Sequence, residues 1–100
     1  MLPRIKNIIS TDSYSIKCLW NTGEIRVIEL EQEILTNGQS VISKLSDKNT
    51  FASVKLDSEA GTIYWDGLLN YTDIDGTIKS GPLDLCPDVL YSLSKPDKNT

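Results

Sequence analysis

SIKCLWNTGEIRVIEL, residues 15 to 30, decides how this chain folds. Ile16, Cys18 and Trp20 alternate with Ser15, Lys17 and Leu19, the period-two pattern of a half-buried strand. EIRVIEL resumes the pattern after Asn21-Thr22-Gly23. Three loop residues ending in glycine suit a type I turn with Gly23 in the left-handed region. That closure sets Trp20 across from Glu24, Cys18 across from Arg26 and Ile16 across from Ile28. Ile16, Cys18, Trp20, Ile28 and Leu30 then share a core face. Arg26 falls on the same face, so its stem is expected to lie along Trp20 with the guanidinium reaching an edge.

Working outward, Ile5 to Ile9 reads as a short strand after Pro3. From Glu31 the alternation fails, and EQEILTNG suggests one helical turn closed by Asn37-Gly38. Ser40 is the expected N-cap of a short helix near 40–46, with Val41, Ile42 and Leu45 on one side. After the polar turn SDKNT, FASVKLD alternates Ala52, Val54 and Leu56 with Ser53, Lys55 and Asp57. This predicts a strand with one solvated face and therefore an antiparallel sheet. TIYWD, residues 62 to 66, is its partner across the DSEAG loop. Residues 67 to 83 read as a hairpin-like insertion turning at Asp75-Gly76 and ended by Ser80-Gly81-Pro82. Pro87 suits the first position of a helix over 87–94, with Cys86 as N-cap and Asp88 in the first turn. Leu85 and Leu90 take the positions of a hydrophobic staple. Asp84 is expected to accept from nearby backbone N–H groups, and 95–100 to fray. The fold class is α+β, one domain over 1–100, with a small antiparallel sheet from two hairpins plus an N-terminal strand.

Composition narrows the chemistry. One hundred residues, 39% hydrophobic and 24% charged, suffice for one core. No apolar run approaches the roughly 20 residues of a membrane helix, and MLPRIKNIIS does not read as a signal peptide. Two cysteines without framework spacing suggest reduced thiols and a cytoplasmic protein. A net charge of −4 argues against nucleic acid as the main ligand, leaving only a basic patch assembled by folding. The absence of histidine removes Ser-His-Asp and Cys-His catalysis and the commonest zinc ligand. Asp73-x-Asp75-Gly76 opens like a calcium loop, but the later ligands are missing and position 82 is proline, so a plain turn is preferred. Glu29, Glu31 and Glu33 would share one strand face and could meet a cation or a basic partner; a helix beginning at Glu31 would disperse them. No spacing selects a catalytic carboxylate pair, and no catalytic, cofactor or metal residue is assigned. Trp20 and Trp65 are assigned to the core. Tyr64 and Tyr71, with Glu29 and Glu31, are the candidate partner-binding surface, and the sheet edges could accept a partner strand.

WNTGEIRVIEL, FASVKLD, GTIYWD and DLCPDVLY, in this order, resemble the small bacterial proteins of domain-of-unknown-function family 2442. The matching positions are Gly23, Glu24, Arg26, Val27, Leu30, Phe51, Val54, Ile63, Trp65, Asp84, Leu85, Pro87, Asp88, Leu90 and Tyr91. The chain departs at Glu29, where aspartate is usual, and in the longer segment 68–83. The resemblance implies a small α+β domain without established catalytic residues, and an antitoxin-type partner of a small toxin encoded beside it. The leading expectation is therefore a non-catalytic protein-interaction module. A small regulatory or ligand-sensing domain is the runner-up, and an enzyme comes third. A homodimer stays open as an alternative.

Overall fold

A computed structural model describes residues 2–36, 41–72 and 74–97. Among the described residues, seven strands, three short α-helices and one 3-10 helix build an α+β fold in which the strand pairs are antiparallel. The strands fall into two sheets and not into the single sheet expected. The first has the order β1 (Ile5–Asp12), β2 (Ser15–Trp20), β3 (Ile25–Glu29) and β7 (Ser94–Pro96). The second has the order β4 (Lys55–Asp57), β5 (Thr62–Thr72) and β6 (Ile78–Asp84).

The β2–β3 hairpin has the register its turn demands. Ile16 faces Ile28, Cys18 faces Arg26, and the Trp20 N–H donates to the Glu24 carbonyl at 2.9 Å. Gly23 has φ +88° and donates its N–H to the Trp20 carbonyl at 3.0 Å, closing the turn. Ile16, Cys18, Trp20, Ile28 and Leu30 are all buried, as the alternation requires. A second, tighter hairpin joins β1 to β2 through Ser13 and Tyr14.

FASVKLD does not form the expected strand. Lys48–Ala52 is helix α2, and only Lys55–Asp57 is extended. Asp47 accounts for the difference: its carboxylate accepts from the Asn49 and Thr50 N–H groups, a capping contact that outweighs a weak alternation. Phe51 is thereby buried, while Ala52, assigned to the core face, is exposed. The segment before it forms helix α1 (Glu31–Thr36) and a 3-10 helix over Val41–Ser46, with Ile34 and Leu45 buried. The Asn37-Gly38 closure and the Ser40 cap lie outside the described residues.

Segment 67–83 is a continuation of the second sheet. β5 runs on to Thr72 and pairs with β6 as far as Thr72 opposite Ile78, with an irregularity between Trp65 and Leu69. Ser80-Gly81-Pro82 does not end the ribbon as expected; it lies inside β6, a position an outer strand allows for proline. The turn is held by Asp75, which accepts from the Thr77 N–H at 3.0 Å and the Thr77 hydroxyl at 2.6 Å. Asp73, the first acid of the calcium-like pattern, lies outside the described residues.

Helix α3 (Pro87–Leu93) starts as read, with Pro87 in its first turn and Cys86 as an N-cap that makes no side-chain bond. The segment after the helix departs from expectation. Residues 95 to 97 are not frayed: β7 pairs with β3, and the Asp97 N–H donates to the Ile25 carbonyl at 3.0 Å. An exposed strand edge offers main-chain groups that any sequence can satisfy, so this polar segment needs no apolar pattern.

The two sheets meet where the Ile5 N–H donates to the Gly61 carbonyl at 2.8 Å. Gly61 has φ +67°, and a Cβ there would stand 2.6 Å from Arg4 Cβ, so the close approach needs glycine. Both sheets and all the helices contribute to one core, with Trp20, Phe51, Trp65 and Leu90 among its largest members. Among the described residues, no helix is long and apolar enough to cross a membrane.

Candidate functional site

Arg26 stands on the core side of β3, where a charge needs full hydrogen bonding to be tolerated. Its side chain is 13% exposed. Nε donates to the Ser94 hydroxyl at 2.7 Å, Nη2 to the Ser94 carbonyl at 3.0 Å, and Nη1 to Glu24 Oε2 at 2.8 Å. The guanidinium carbon lies 4.3 Å from the centre of the Tyr91 ring. The guanidinium thus stacks on Tyr91, a partner the sequence reading did not name, and Tyr91 itself meets Trp20 edge-on at 5.1 Å and 82°. Tyrosine supplies both a π-face for the cation and a hydroxyl for the neighbouring acid. The Tyr91 hydroxyl donates to Glu24 Oε1 at 2.7 Å, and the Thr22 hydroxyl donates to the same oxygen at 2.9 Å. The Ser94 hydroxyl closes the network by donating to the Tyr91 carbonyl at 2.6 Å. This cluster fastens α3 and β7 to the first hairpin.

The donors around Glu24, the Tyr91 hydroxyl first, then Thr22 and Arg26, hold its carboxyl below the usual range. Accepting that bond, the Glu24 carboxylate in turn raises Tyr91. A depressed folded-state pKa stabilises the fold above the group's unfolded value, and the gain disappears as pH falls through the lowered value. Glu24→Gln should therefore lower the melting temperature most at neutral pH. The difference from wild type should shrink below about pH 4 in a series of thermal melts. A difference independent of pH would refute this assignment.

Both cysteines are free thiols. Cys18 is buried against the core, and loss of hydration pushes its thiol up to about 12. Cys86 is exposed. At mildly alkaline pH a thiol reagent should titrate Cys86 alone in the folded protein, with Cys18 reacting only after denaturation.

The second feature is a groove of about 540 Å³ lined by Ser13, Tyr14 and Ser15 of the first turn, Glu29, Glu31, Gln32 and Glu33, and Leu93 and Lys95. The chain does turn helical at Glu31, yet the three glutamates are not dispersed: the junction of β3 and α1 wraps them around one depression. Glu29 and Glu31 are exposed. Among the described residues, no three acids or thiols are gathered closely enough to hold a metal ion. The groove is an open surface on which three carboxylates and Lys95 meet.

The other candidates fall elsewhere. Tyr64 is half-buried in β5, opposite Lys55 and Asp84, and does not line the groove. Tyr71 pairs with Lys79 on the ribbon, and its side chain is outside the described set. The structure thus brings Glu29 and Glu31 together and leaves the tyrosines apart. Asp84 lies in β6, and its expected backbone contact also falls outside the described side chains. Gly23, Phe51, Trp65, Pro87 and Leu90 serve the turn, the core and the helix start, while Arg26 and Tyr91 meet in the stacked cluster. Sequence reasoning missed Thr22, Ser94, Lys95 and Tyr14. None carries a pattern of its own: Thr22 acquires its role locally, within the turn beside Glu24, while Ser94, Lys95 and Tyr14 acquire theirs from segments distant in sequence.

The sheet edges are blunted. β1 is interrupted by two register shifts, β4 and β7 are three residues long, and β6 carries Lys79 and Pro82. Set against models of known protein families, curated proteins and solved structures, the chain finds no match in any of the three.

Proposed function

We propose that this chain is a non-catalytic protein-interaction module whose acidic groove receives a basic segment of a partner protein. The observation that carries the reading is the convergence of Glu29, Glu31 and Glu33 on one open depression. The chain's net charge of −4 supports it, since complementary fields speed encounter and select partners of opposite sign. The resemblance to family 2442 makes the partner a small basic toxin-type protein encoded beside this chain, and the free thiols suit a cytoplasmic setting.

Co-expression with the neighbouring gene product and co-purification tests the proposal directly. The expected result is a complex that weakens with salt. The pair Glu29→Lys and Glu31→Lys should lower its affinity by about a hundredfold while leaving the melting temperature unchanged, because both side chains are exposed. Equal binding by wild type and the charge-reversed protein would exclude the groove as the docking surface.

A further inference from the structure

The acidic groove already holds one cation, and that cation belongs to the chain itself. Lys95 lines it together with Leu93. In the β3–β7 register Lys95 faces Val27, which makes Glu29 its diagonal cross-strand neighbour. Continuing the same register puts position 93 directly across from Glu29. On the opposite face of β7, Ser94 is buried, faces Ile28 and receives Arg26. β7 therefore presents Ser94 inward to Arg26 and Lys95 outward to the groove.

β7 is short for a strand that completes a sheet, and its hold is concentrated at its two ends. Arg26 grips Ser94, and Asp97 bonds the Ile25 carbonyl through its N–H and pairs with Lys17 at 3.0 Å. β7 pairs with three of the five residues of β3, and Pro96 falls at a position opposite Arg26 whose N–H the ladder does not use. Lys95 and Pro96 are exposed. Of the bonds that Arg26 sends to it, one goes to a main-chain carbonyl, which any strand in that place would supply. The other goes to a hydroxyl, which selects a small polar residue at the inward position.

We infer that the edge of β3 is a docking site for an extended partner segment with a basic–small hydroxyl–basic pattern, and that β7 is its displaceable intramolecular occupant. The inference rests on the interaction reading of the groove and names what enters it. An incoming strand can pair along all five residues of β3, one more than the four that β7 and Asp97 occupy, and the added one is Glu29. Its two outward cations meet Glu29 and the adjoining glutamates, where the chain itself offers Leu93 at the end of α3 and Lys95 of β7. Its inward serine or threonine takes the two bonds from Arg26 that Ser94 gives up. Main-chain pairing supplies affinity and the alternate side chains supply selectivity, as in other strand-addition complexes. The hairpin β2–β3 stays intact throughout, because its own pairing lies on the far side of β3.

A reversible lock tests the displacement. In a protein carrying Cys86→Ser, Val27→Cys and Lys95→Cys, oxidation ties β7 to β3 across directly opposed positions, whose Cα spacing of about 5.5 Å suits a disulfide. The probe is a short fluorescein-labelled peptide of alternating lysine and serine, with an alternating glutamate–serine peptide as control. The reduced protein is expected to bind the lysine peptide, and oxidation to weaken binding by at least about tenfold. Equal binding in both redox states would overturn the displacement while leaving the groove proposal standing. No binding by the reduced protein would overturn both. Hydrogen exchange on the wild-type protein gives an independent reading that needs no engineered bond. Adding the lysine peptide should speed exchange of the Asp97 amide, now bonded to Ile25, and leave the β2–β3 amides protected. An unchanged Asp97 amide in the presence of bound peptide would also overturn the inference.

Discussion

Trp65→Ala is expected to destabilise the protein by about 4 kcal/mol, within the range for deleting a buried aromatic ring. Trp65 is fully buried on β5, opposite Leu83. Its ring centre lies 5.8 Å from that of Phe51, and its indole N–H donates to the Phe51 carbonyl at 2.9 Å. The side chain thus joins the second sheet to α2 by both packing and a hydrogen bond. Small domains have only about 5–15 kcal/mol of net stability, so the alanine variant should be largely unfolded at physiological temperature. Trp65→Phe separates the two contributions. It keeps most of the apolar surface but removes the indole N–H, leaving the Phe51 carbonyl only its longer backbone contacts such as the Val54 N–H at 3.3 Å, for a loss of about 1 kcal/mol. Urea denaturation followed by the remaining Trp20 emission measures both. Equal losses in the two variants would show that the ring volume contributes nothing beyond the bond, contrary to the packing argument.

Arg26→Ala should cost about 2–3 kcal/mol, because it removes three hydrogen bonds and a cation–π contact from a site largely shielded from water. The loss should be concentrated in one region. Ser94 and Tyr91 would lose their tie to β3, so the Asp97 amide should exchange faster while β2 and β3 remain protected. Arg26→Lys is not expected to rescue it: an ammonium cannot reproduce the planar fork that spans Glu24 and Ser94. The ion pair between Lys55 and Asp66 provides the contrast. At 2.6 Å it is shorter than any contact Arg26 makes, but its side chains are 56% and 60% exposed. Lys55→Ala should therefore change the denaturation midpoint very little. If both substitutions shift the midpoint equally, burial is not what gives the Arg26 cluster its weight. Faster exchange in Arg26→Ala also bears on strand displacement, since the same variant loosens the occupant of the β3 edge without touching the groove glutamates.

The parts of the fold legible in the sequence are those whose constraints are local. Alternation from Ser15 to Leu30 and a three-residue closure at Gly23 leave one register, because a slip of one residue would turn Trp20 and Ile28 toward water. Pro87 announces α3 because its ring is compatible with a first helical turn and its missing N–H has no partner to lose. FASVKLD misleads because alternation over a few residues competes with a capping carboxylate at Asp47, and the cap prevails once Phe51 can bury. The groove was half legible: the spacing of Glu29, Glu31 and Glu33 was visible, but their convergence depends on how β3 runs into α1.

By itself the sequence determined the central hairpin, the α+β class, the burial of Trp20 and Trp65, and the place where the last helix begins. Each comes from side-chain periodicity or a backbone preference acting over a few residues. Only the tertiary structure decided that the strands form two sheets, that the polar Ser94–Pro96 segment is a strand, and that Arg26 stacks on Tyr91. Those outcomes depend on groups far apart along the chain, such as Arg26 and Ser94 at a separation of 68 positions. A strand edge accepts main-chain partners of almost any composition, and a buried guanidinium goes wherever folding gathers its acceptors. Neither leaves a local pattern in the residues that provide it.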